Sequence, residues 1–167
     1  IRAGIGMVHQ HFMLVEPFTV LENLVLGLEP GNPLFLDLEA ARRKATALME
    51  ALGFEVPLDE RVENLPVGLQ QRVEILKALY RGAEILILDD ASSALDYRTD
   101  AALRRALREN YRDTTTVLIA QRISSLRHAD LILVLDDGAV IGAGDHAHLM
   151  ETCEEYAYLA RIQMGDG

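Results

Sequence analysis

The segment 85–90 constrains the fold of this chain more than any other feature. Its four apolar residues, Ile85 to Leu88, are followed by two carboxylates, Asp89 and Asp90. A short apolar run of this kind is typical of a parallel strand that is buried on both faces. In open α/β sheets, ligands bind at the carboxyl ends of such strands. The pair therefore indicates a place to hold Mg²⁺ and orient a water, as an enzyme of nucleotide phosphates needs. The plain alternative is a core strand that runs into an acidic turn.

Composition and charge limit the classes to which the chain can belong. Its 167 residues are 50% hydrophobic and 25% charged, which suits one globular domain with an apolar core and excludes disorder. The formal net charge of −10 argues against a nucleic-acid partner, because phosphate backbones require a basic surface. Cys153 has no second cysteine to pair with, and no apolar run reaches the ~18 residues of a membrane span. We expect a soluble, cytosolic protein whose sequence, starting at Ile1, begins inside a domain.

Hydrophobic periodicity predicts alternating helices and strands, with the helices concentrated in the middle of the chain. Strands are predicted at 4–9, 85–88, 115–120, 131–135 and 139–141, and Asp136-Asp137-Gly138 is a hairpin signal between the last two. Helices are predicted at 18–27 with Thr19 as N-cap, from an Asp37 cap to Gly53, and at 68–80, 98–110 and 145–163. The Pro and Gly residues of 29–33 predict a turn.

Short motifs in a fixed order connect the chain to a known family. They are Val8-His9-Gln10, Leu65-Pro66-Val67-Gly68-Leu69-Gln70-Gln71-Arg72, the acidic pair, Ala91-Ser92-Ser93-Ala94-Leu95-Asp96 and Ile119-Ala120-Gln121-Arg122. In this order and at these spacings, the chain resembles the ATPase domain of ABC transporters. The motifs match the Q-loop, signature, Walker B, D-loop and switch of that family over almost the whole chain. Each motif is weak alone, whereas all of them in order are a strong signal.

The resemblance implies an α/β fold, with a RecA-like P-loop NTPase core built on a mostly parallel sheet. We expect this core at 1–18 and 81–144, a helical subdomain with the signature at about 19–80, and a C-terminal helix at 145–163. The phosphate loop GxxxxGK[ST] does not occur in the sequence, and we expect the first strands of the core to be missing as well. We therefore expect these 167 residues to bind ATP very weakly or not at all by themselves.

The resemblance also implies roles for the residues that would serve the metal and the chemistry. Asp89 matches the Walker B aspartate, which holds Mg²⁺ through its water shell. Gln10 matches the Q-loop glutamine, which senses Mg²⁺ and the γ-phosphate; alone, it reads as an ordinary polar residue of a surface loop. Asp90 occupies the position of the glutamate that polarises the attacking water. Gln121 occupies the position of the switch histidine, which contacts the γ-phosphate.

The remaining implied site residues would serve a second ATPase domain. Gly68 and Gln70 belong to the signature, and a helix start near Gly68 offers N–H groups and a positive dipole end to the phosphates of the opposite ATP. A glycine N-cap is the structural alternative at Gly68. Ser93 and Asp96 match the D-loop, which crosses the interface between the two domains, although Asp96 is equally a residue that caps helices.

Several positions depart from the common family pattern. Asp90 is one methylene shorter than glutamate, and Gln121 lacks the charged state of histidine. This pair is similar to the slow or degenerate site of some ABC exporters and predicts slow hydrolysis. Residues 1–88 are similar to the ATPases of sugar and nucleoside importers, including the Pro66 variant of the signature. From Asp90 onward the sequence is similar to exporters, so the direction of transport stays open.

The leading function is an ATP-binding subunit or domain of an ABC transporter, with ATP and Mg²⁺ as cofactors. Its implied partners are a second ATPase domain, packed head to tail, and a transmembrane permease. We expect the chain itself to be cytoplasmic and peripheral, on the inner face of the cell membrane. The alternative is a catalytically incompetent module that docks on a permease or partner domain without binding nucleotide. A receiver-like signalling domain also places carboxylates at strand ends, but it explains neither Gly68–Gln71 nor Ser93–Asp96.

Overall fold

The computed structural model describes residues 4–9, 13–27, 31–32, 35–89 and 97–165. The chain divides into two compact units, Ile1–Ile119 and Ala120–Gly167. In chain order the elements are β1 Ile5–Val8, α1 Val20–Val25, β2 Gly31–Asn32, β3 Phe35–Leu36, α2 Leu38–Leu52, α3 Val67–Tyr80, β4 Ile85–Asp89, α4 Tyr97–Asn110, β5 Thr115–Ile119, α5 Ile123–Leu126, β6 Ile132–Asp136, β7 Ala139–Gly144, α6 His146–Thr152 and α7 Glu154–Met164. The predicted α/β class with a parallel sheet is confirmed.

A three-stranded parallel sheet in the order β1-β4-β5 lies in the first unit. Leu86 and Leu88 of the central strand are buried and join a core formed with helices α1 to α4. Ile85 is 36% exposed and Ile87 is half-buried. The prediction that this strand is buried on both faces is therefore wrong. The side chains on both faces of β4 are apolar, which makes the apolar run continuous in sequence. The described helices cover only one of these faces.

Helices α1 and α2 begin at their predicted capping residues, and α2 also ends at its predicted glycine. The Thr19 hydroxyl accepts a hydrogen bond of 3.2 Å from the Glu22 N–H, and the Glu22 carboxylate accepts one of 2.7 Å from the Thr19 N–H, which is a complete capping box. Asp37 caps α2 by accepting from the Ala40 N–H at 2.8 Å. Gly53 ends α2 in the left-handed region, at φ +64°.

The second unit consists of a β-hairpin and the three helices α5, α6 and α7, which share one core. Strands β6 and β7 are antiparallel, and the residues between them, Asp137 and Gly138, have φ values of +44° and +77°. Both positive values are typical of the type I′ turn that the Asp-Gly signal predicts. The core of this unit consists of Ile123, Ile132, Leu149, Cys153, Tyr156 and Ala160.

The predicted single helix at 145–163 is wrong, because the chain forms two helices that meet at Cys153. Cys153 has extended backbone angles, φ −125° and ψ 105°, and is only 4% exposed. The Thr152 hydroxyl donates to the His148 carbonyl at 2.8 Å and satisfies an acceptor at the end of α6. The break allows Leu149 of α6 and Tyr156 of α7 to enter the same core.

Other predictions concern regions that the structure treats only in part. The predicted turn at 29–33 falls mostly outside the described residues, although Gly31–Asn32 pairs with Phe35–Leu36. The predicted subdomain boundaries at about 19–80 and 81–144 stay a prediction. Among the described helices, none combines the length and the apolar character needed to cross a membrane.

Candidate functional site

Asp89 lies at the carboxyl edge of the parallel sheet. It is the last residue of β4, and its Cα is in register with that of Ile119, the last residue of β5. Val8 pairs with Leu88 in the same way, so β1 ends at this edge too. Asp89 is half-buried, and no described residue donates a hydrogen bond to its carboxylate. A carboxylate placed in this way is suited to a hard cation such as Mg²⁺.

Helix α3 presents a second feature suited to phosphate. Pro66 is its N-cap residue, and no side chain caps the helix. The amides of Leu69 and Gln70 donate to the Pro66 carbonyl at 2.9 and 3.1 Å. The amides that precede them in the first turn have no carbonyl acceptor within the helix. Gly68 therefore sits in the first turn rather than at the N-cap, and the glycine N-cap alternative is wrong. The positive end of a 14-residue helix is thereby open to an anion.

Gln70 uses its side chain within its own chain. Its Nε2 donates to the Leu65 carbonyl at 2.9 Å and to the Val62 carbonyl at 3.3 Å. These bonds fix the loop that leads into α3. The contact of Gln70 with an ATP molecule stays a prediction.

Gln121 belongs to the second unit, where its side chain is exposed. Its backbone carbonyl accepts a hydrogen bond of 2.9 Å from Gln163 Nε2, and Gln163 Oε1 accepts one of 2.8 Å from the Ile123 N–H. Helix α7 thus fixes the backbone on both sides of residue 122. The contact of Gln121 with the γ-phosphate stays a prediction.

The other predicted site residues, Gln10, Asp90, Ser93 and Asp96, lie outside the described residues. Within the described ranges, no group of three or more His, Cys, Asp or Glu side chains is arranged to hold a metal. The structure therefore places Asp89 at the sheet edge, and Gly68 with Gln70 at the start of α3, in one unit.

Two polar residues that the sequence motifs did not single out organise this unit. Glu74 on α3 is 6% exposed and accepts a hydrogen bond of 2.6 Å from the Met13 N–H. Asn23 on α1 is fully buried and accepts one of 2.8 Å from the Val15 N–H. A signal was present in the sequence, because Glu74 stands between the apolar residues Val73 and Ile75.

Lys77 lies one turn after Glu74 and has a perturbed titration. Burial lowers the pKa of its ammonium, the Glu74 carboxylate partly opposes this effect, and the Arg81 guanidinium lowers the pKa further. These residues line a pocket of about 250 Å³ beside β1, together with Ile5, Met7 and Met13. Asp89 does not line this pocket, so the pocket is distinct from the sheet edge.

A parallel sheet with a carboxylate at its carboxyl edge, and a helix start open to anions in the same unit, are features of nucleotide-binding α/β proteins. The chain belongs to the ABC transporter family, whose model, described as ABC transporter, matches residues 1–93. This finding confirms the resemblance drawn from the motifs.

Relatives from both transport directions are similar to the chain. The nucleoside import ATP-binding protein NupA of Lactococcus lactis subsp. cremoris is 43% identical over 140 residues, covering 83% of this chain and 28% of that protein. An ATP-dependent lipid A-core flippase of Vibrio parahaemolyticus is 44% identical over 171 residues, covering 99% of this chain and 29% of that protein. A solved bacterial Atm1-family ABC exporter with ATP bound has a TM-score of 0.79 and 29% identity, covering 98% of this chain and 29% of that one. The chain thus spans less than a third of each relative.

Proposed function

We propose that this chain forms part of an ATPase domain that couples ATP binding and hydrolysis to transport across a membrane. The observation that carries the proposal is the position of Asp89, a half-buried carboxylate at the carboxyl edge of a parallel sheet. Membership of the ABC transporter family supports the same function. The transported substrate and the direction of transport are left open by relatives of both kinds.

The proposed roles assign the metal and the chemistry to the sheet edge. Asp89 and Gln10 serve Mg²⁺, and a carboxylate with an amide oxygen is the kind of ligand set that this cation prefers. Asp90 orients the attacking water, and Gln121 contacts the γ-phosphate. Mg²⁺ supplies charge neutralisation on the phosphates when it is bound. These 167 residues contain no GxxxxGK[ST], the loop that forms an amide cradle for phosphates.

The proposed partner is a second ATPase domain packed head to tail. The open start of α3, with Gly68 in its first turn, supports a contact with the ATP bound to that partner. Gln70 would join this contact, and Ser93 and Asp96 would cross the interface. A permease is the further proposed partner, and the ATPase domains would then lie on the inner face of the cell membrane.

A second candidate function is an interaction module that docks on a permease or a partner domain without binding nucleotide. The absence of GxxxxGK[ST] from these residues favours it. The position of Asp89 at the carboxyl edge of the sheet favours the ATPase, because a docking module needs no carboxylate there.

Sequencing the gene upstream of Ile1 and expressing the full open reading frame separates the two candidates. We expect an upstream GxxxxGK[ST] and Mg²⁺-dependent ATP hydrolysis. Asp89→Asn should lower turnover by about 10- to 100-fold, the usual effect of removing a group that acts through the metal's water shell. Asp59→Asn is a matched control, since Asp59 is an exposed carboxylate paired with Arg42. Equal turnover in the two variants contradicts the ATPase proposal. An open reading frame that lacks the loop, or an expressed protein that does not bind ATP, supports the docking module.

A further inference from the structure

Two side chains of helix α3 hold the backbone of Met13. The Met13 N–H donates a hydrogen bond of 2.6 Å to Glu74 Oε1, and Lys77 Nζ donates one of 2.9 Å to the Met13 carbonyl. The partners are separated by 61 and 64 residues in sequence, so these bonds join distant segments. Met13 is 68% exposed, so packing against the core does not hold it in place. We call Met13, Glu74 and Lys77 the backbone clamp.

A buried asparagine continues this arrangement along the same segment. Asn23 Oδ1 accepts from the Val15 N–H at 2.8 Å, and Asn23 Nδ2 donates to the Val15 carbonyl at 3.0 Å. Both polar backbone groups of Met13 and both of Val15 are thus bound by side chains. In a β-sheet, the backbone of a neighbouring strand supplies such hydrogen bonds, whereas here side chains supply them. The segment 13–15 is therefore fixed to helices α1 and α3 by directional bonds.

The clamp places one ionisable side chain, that of Glu74, almost fully inside the core. Glu74 is 6% exposed, and its neighbours in sequence, Val73 and Ile75, are fully buried. Buried charges cost free energy unless their partners are well placed, and apolar residues of similar volume often stabilise a core more. Burial also lowers the pKa of Lys77, which reflects the same cost. The clamp is thus better explained by the position that it imposes on Met13 than by core stability.

We infer that Glu74 and Lys77 are positioning residues that couple the segment after Gln10 to the helix that carries Gly68. Met13 follows Gln10 by three residues in sequence. Gly68 precedes Glu74 by six residues on α3, about 9 Å along the helix axis at ~1.5 Å per residue. Because α3 is continuous between them, a displacement of the Met13 backbone moves the start of the helix. The inference rests on the proposed roles of Gln10 at Mg²⁺ and of Gly68 at phosphate.

Hydrogen–deuterium exchange tests this coupling in the protein of the full open reading frame, with and without ATP and Mg²⁺. In the unchanged protein, we expect nucleotide to slow exchange in residues 13–15 and also in residues 67–72. Without nucleotide, Glu74→Ala should speed exchange of the Met13 amide by about tenfold or more, because a hydrogen bond to a charged acceptor is lost. With nucleotide, the same variant should lose protection at 67–72 while the Kd for ATP changes little.

Two further variants keep the test meaningful where Glu74→Ala fails to fold. Glu74→Gln retains an acceptor oxygen for the Met13 N–H and should restore both effects. Lys77→Met keeps the side-chain stem but removes the bond to the Met13 carbonyl, and it should lower protection at 67–72. Lys44→Met is the matched control: Lys44 Nζ donates to the Tyr80 carbonyl of the same helix at 2.7 Å without contacting residues 13–15.

The outcomes separate this inference from the function on which it rests. Protection at 67–72 that survives both Glu74→Ala and Lys77→Met overturns the coupling, as does an equal loss in Lys44→Met. An unchanged protein with no nucleotide-dependent protection contradicts the proposed function, and the coupling with it. A defect confined to the clamp variants supports the coupling and leaves the proposed function in place.

Discussion

At the scale of single residues, the length of one side chain sets the expected rate of hydrolysis. Asp90 occupies the proposed position of the general base, where a displacement of about 1 Å can cost on the order of a hundredfold in rate. Gln121 retains hydrogen-bonding groups but has no charged state at any pH. Together these residues predict a slow site, and both shortfalls are reversible by substitution.

We expect Asp90→Glu combined with Gln121→His to raise ATP turnover in the protein of the full open reading frame. The longer carboxylate reaches the water, and an imidazole adds a group whose ordinary pKa is about 6.5. The double variant should therefore show a limb near that pH in its rate profile, which the unchanged protein lacks. Steady-state hydrolysis across pH measures both effects.

The control for that experiment is Asp59→Glu, which lengthens an exposed carboxylate outside the proposed site in the same way. It should leave turnover unchanged. A double variant with the rate and pH profile of the unchanged protein would remove Asp90 and Gln121 from the chemistry. That result would not bear on Asp89, whose role the Asp89→Asn variant tests separately.

At the scale of helices and strands, local chemistry determined what the sequence could predict. The caps at Thr19 and Asp37 and the stop at Gly53 are formed by groups within a few residues of one another, and all three predictions are confirmed. The Asp137-Gly138 turn is equally local. The position of Asp89 at a strand end could also be predicted, because the run of apolar residues and the point where it stops are visible in the sequence.

Features that depend on distant contacts were beyond the reach of the sequence pattern. The break at Cys153 interrupts a segment with continuous helical periodicity, and the hairpin core against which Leu149 and Tyr156 pack decides where it falls. The hydrogen bond that Glu74 accepts comes from Met13, which is 61 residues away. The one-sided burial of β4 depends on which described helices cover the sheet.

The break at Cys153 leads to a prediction about Gly142 of β7. A Cβ added at Gly142 would lie 3.1 Å from Cys153 Sγ and 3.1 Å from Leu149 Cδ2, closer than ordinary contacts. Gly142→Ala should therefore lower the free energy of unfolding by about 1–3 kcal/mol through overpacking. Cys153→Ala removes the sulfur and should make the double variant more stable than the sum of the two single effects predicts.

Urea unfolding of the four proteins in this cycle measures the coupling between the two positions. Ala143→Val is the control, because Ala143 is the neighbouring exposed residue of β7 and a larger side chain there enters no core. Strictly additive effects of Gly142→Ala and Cys153→Ala would show that the break does not pack against the hairpin in this way.

At the scale of the whole molecule, exposed apolar surface and an open sheet edge both favour association. Strand β5 pairs with β4, and no other described strand pairs with it. Val117 and Ile119 on this strand are 44% and 50% exposed. Open edges and apolar patches of this kind are common sites of contact between chains. The net charge of −10 opposes association through mutual repulsion, and salt screens that repulsion.

We therefore expect a polypeptide of these 167 residues, prepared alone, to be dimeric or prone to aggregation, and increasingly so at high salt. Val117→Lys should reduce association, because a lysine on an edge strand discourages pairing with another chain. Val140→Lys is the matched comparison, since Val140 is a 58% exposed valine of the second unit. Light scattering at several protein and salt concentrations measures the outcome. A monomer under all of these conditions contradicts the prediction. If only Val140→Lys reduces association, the chains associate through the hairpin and not through the β5 edge.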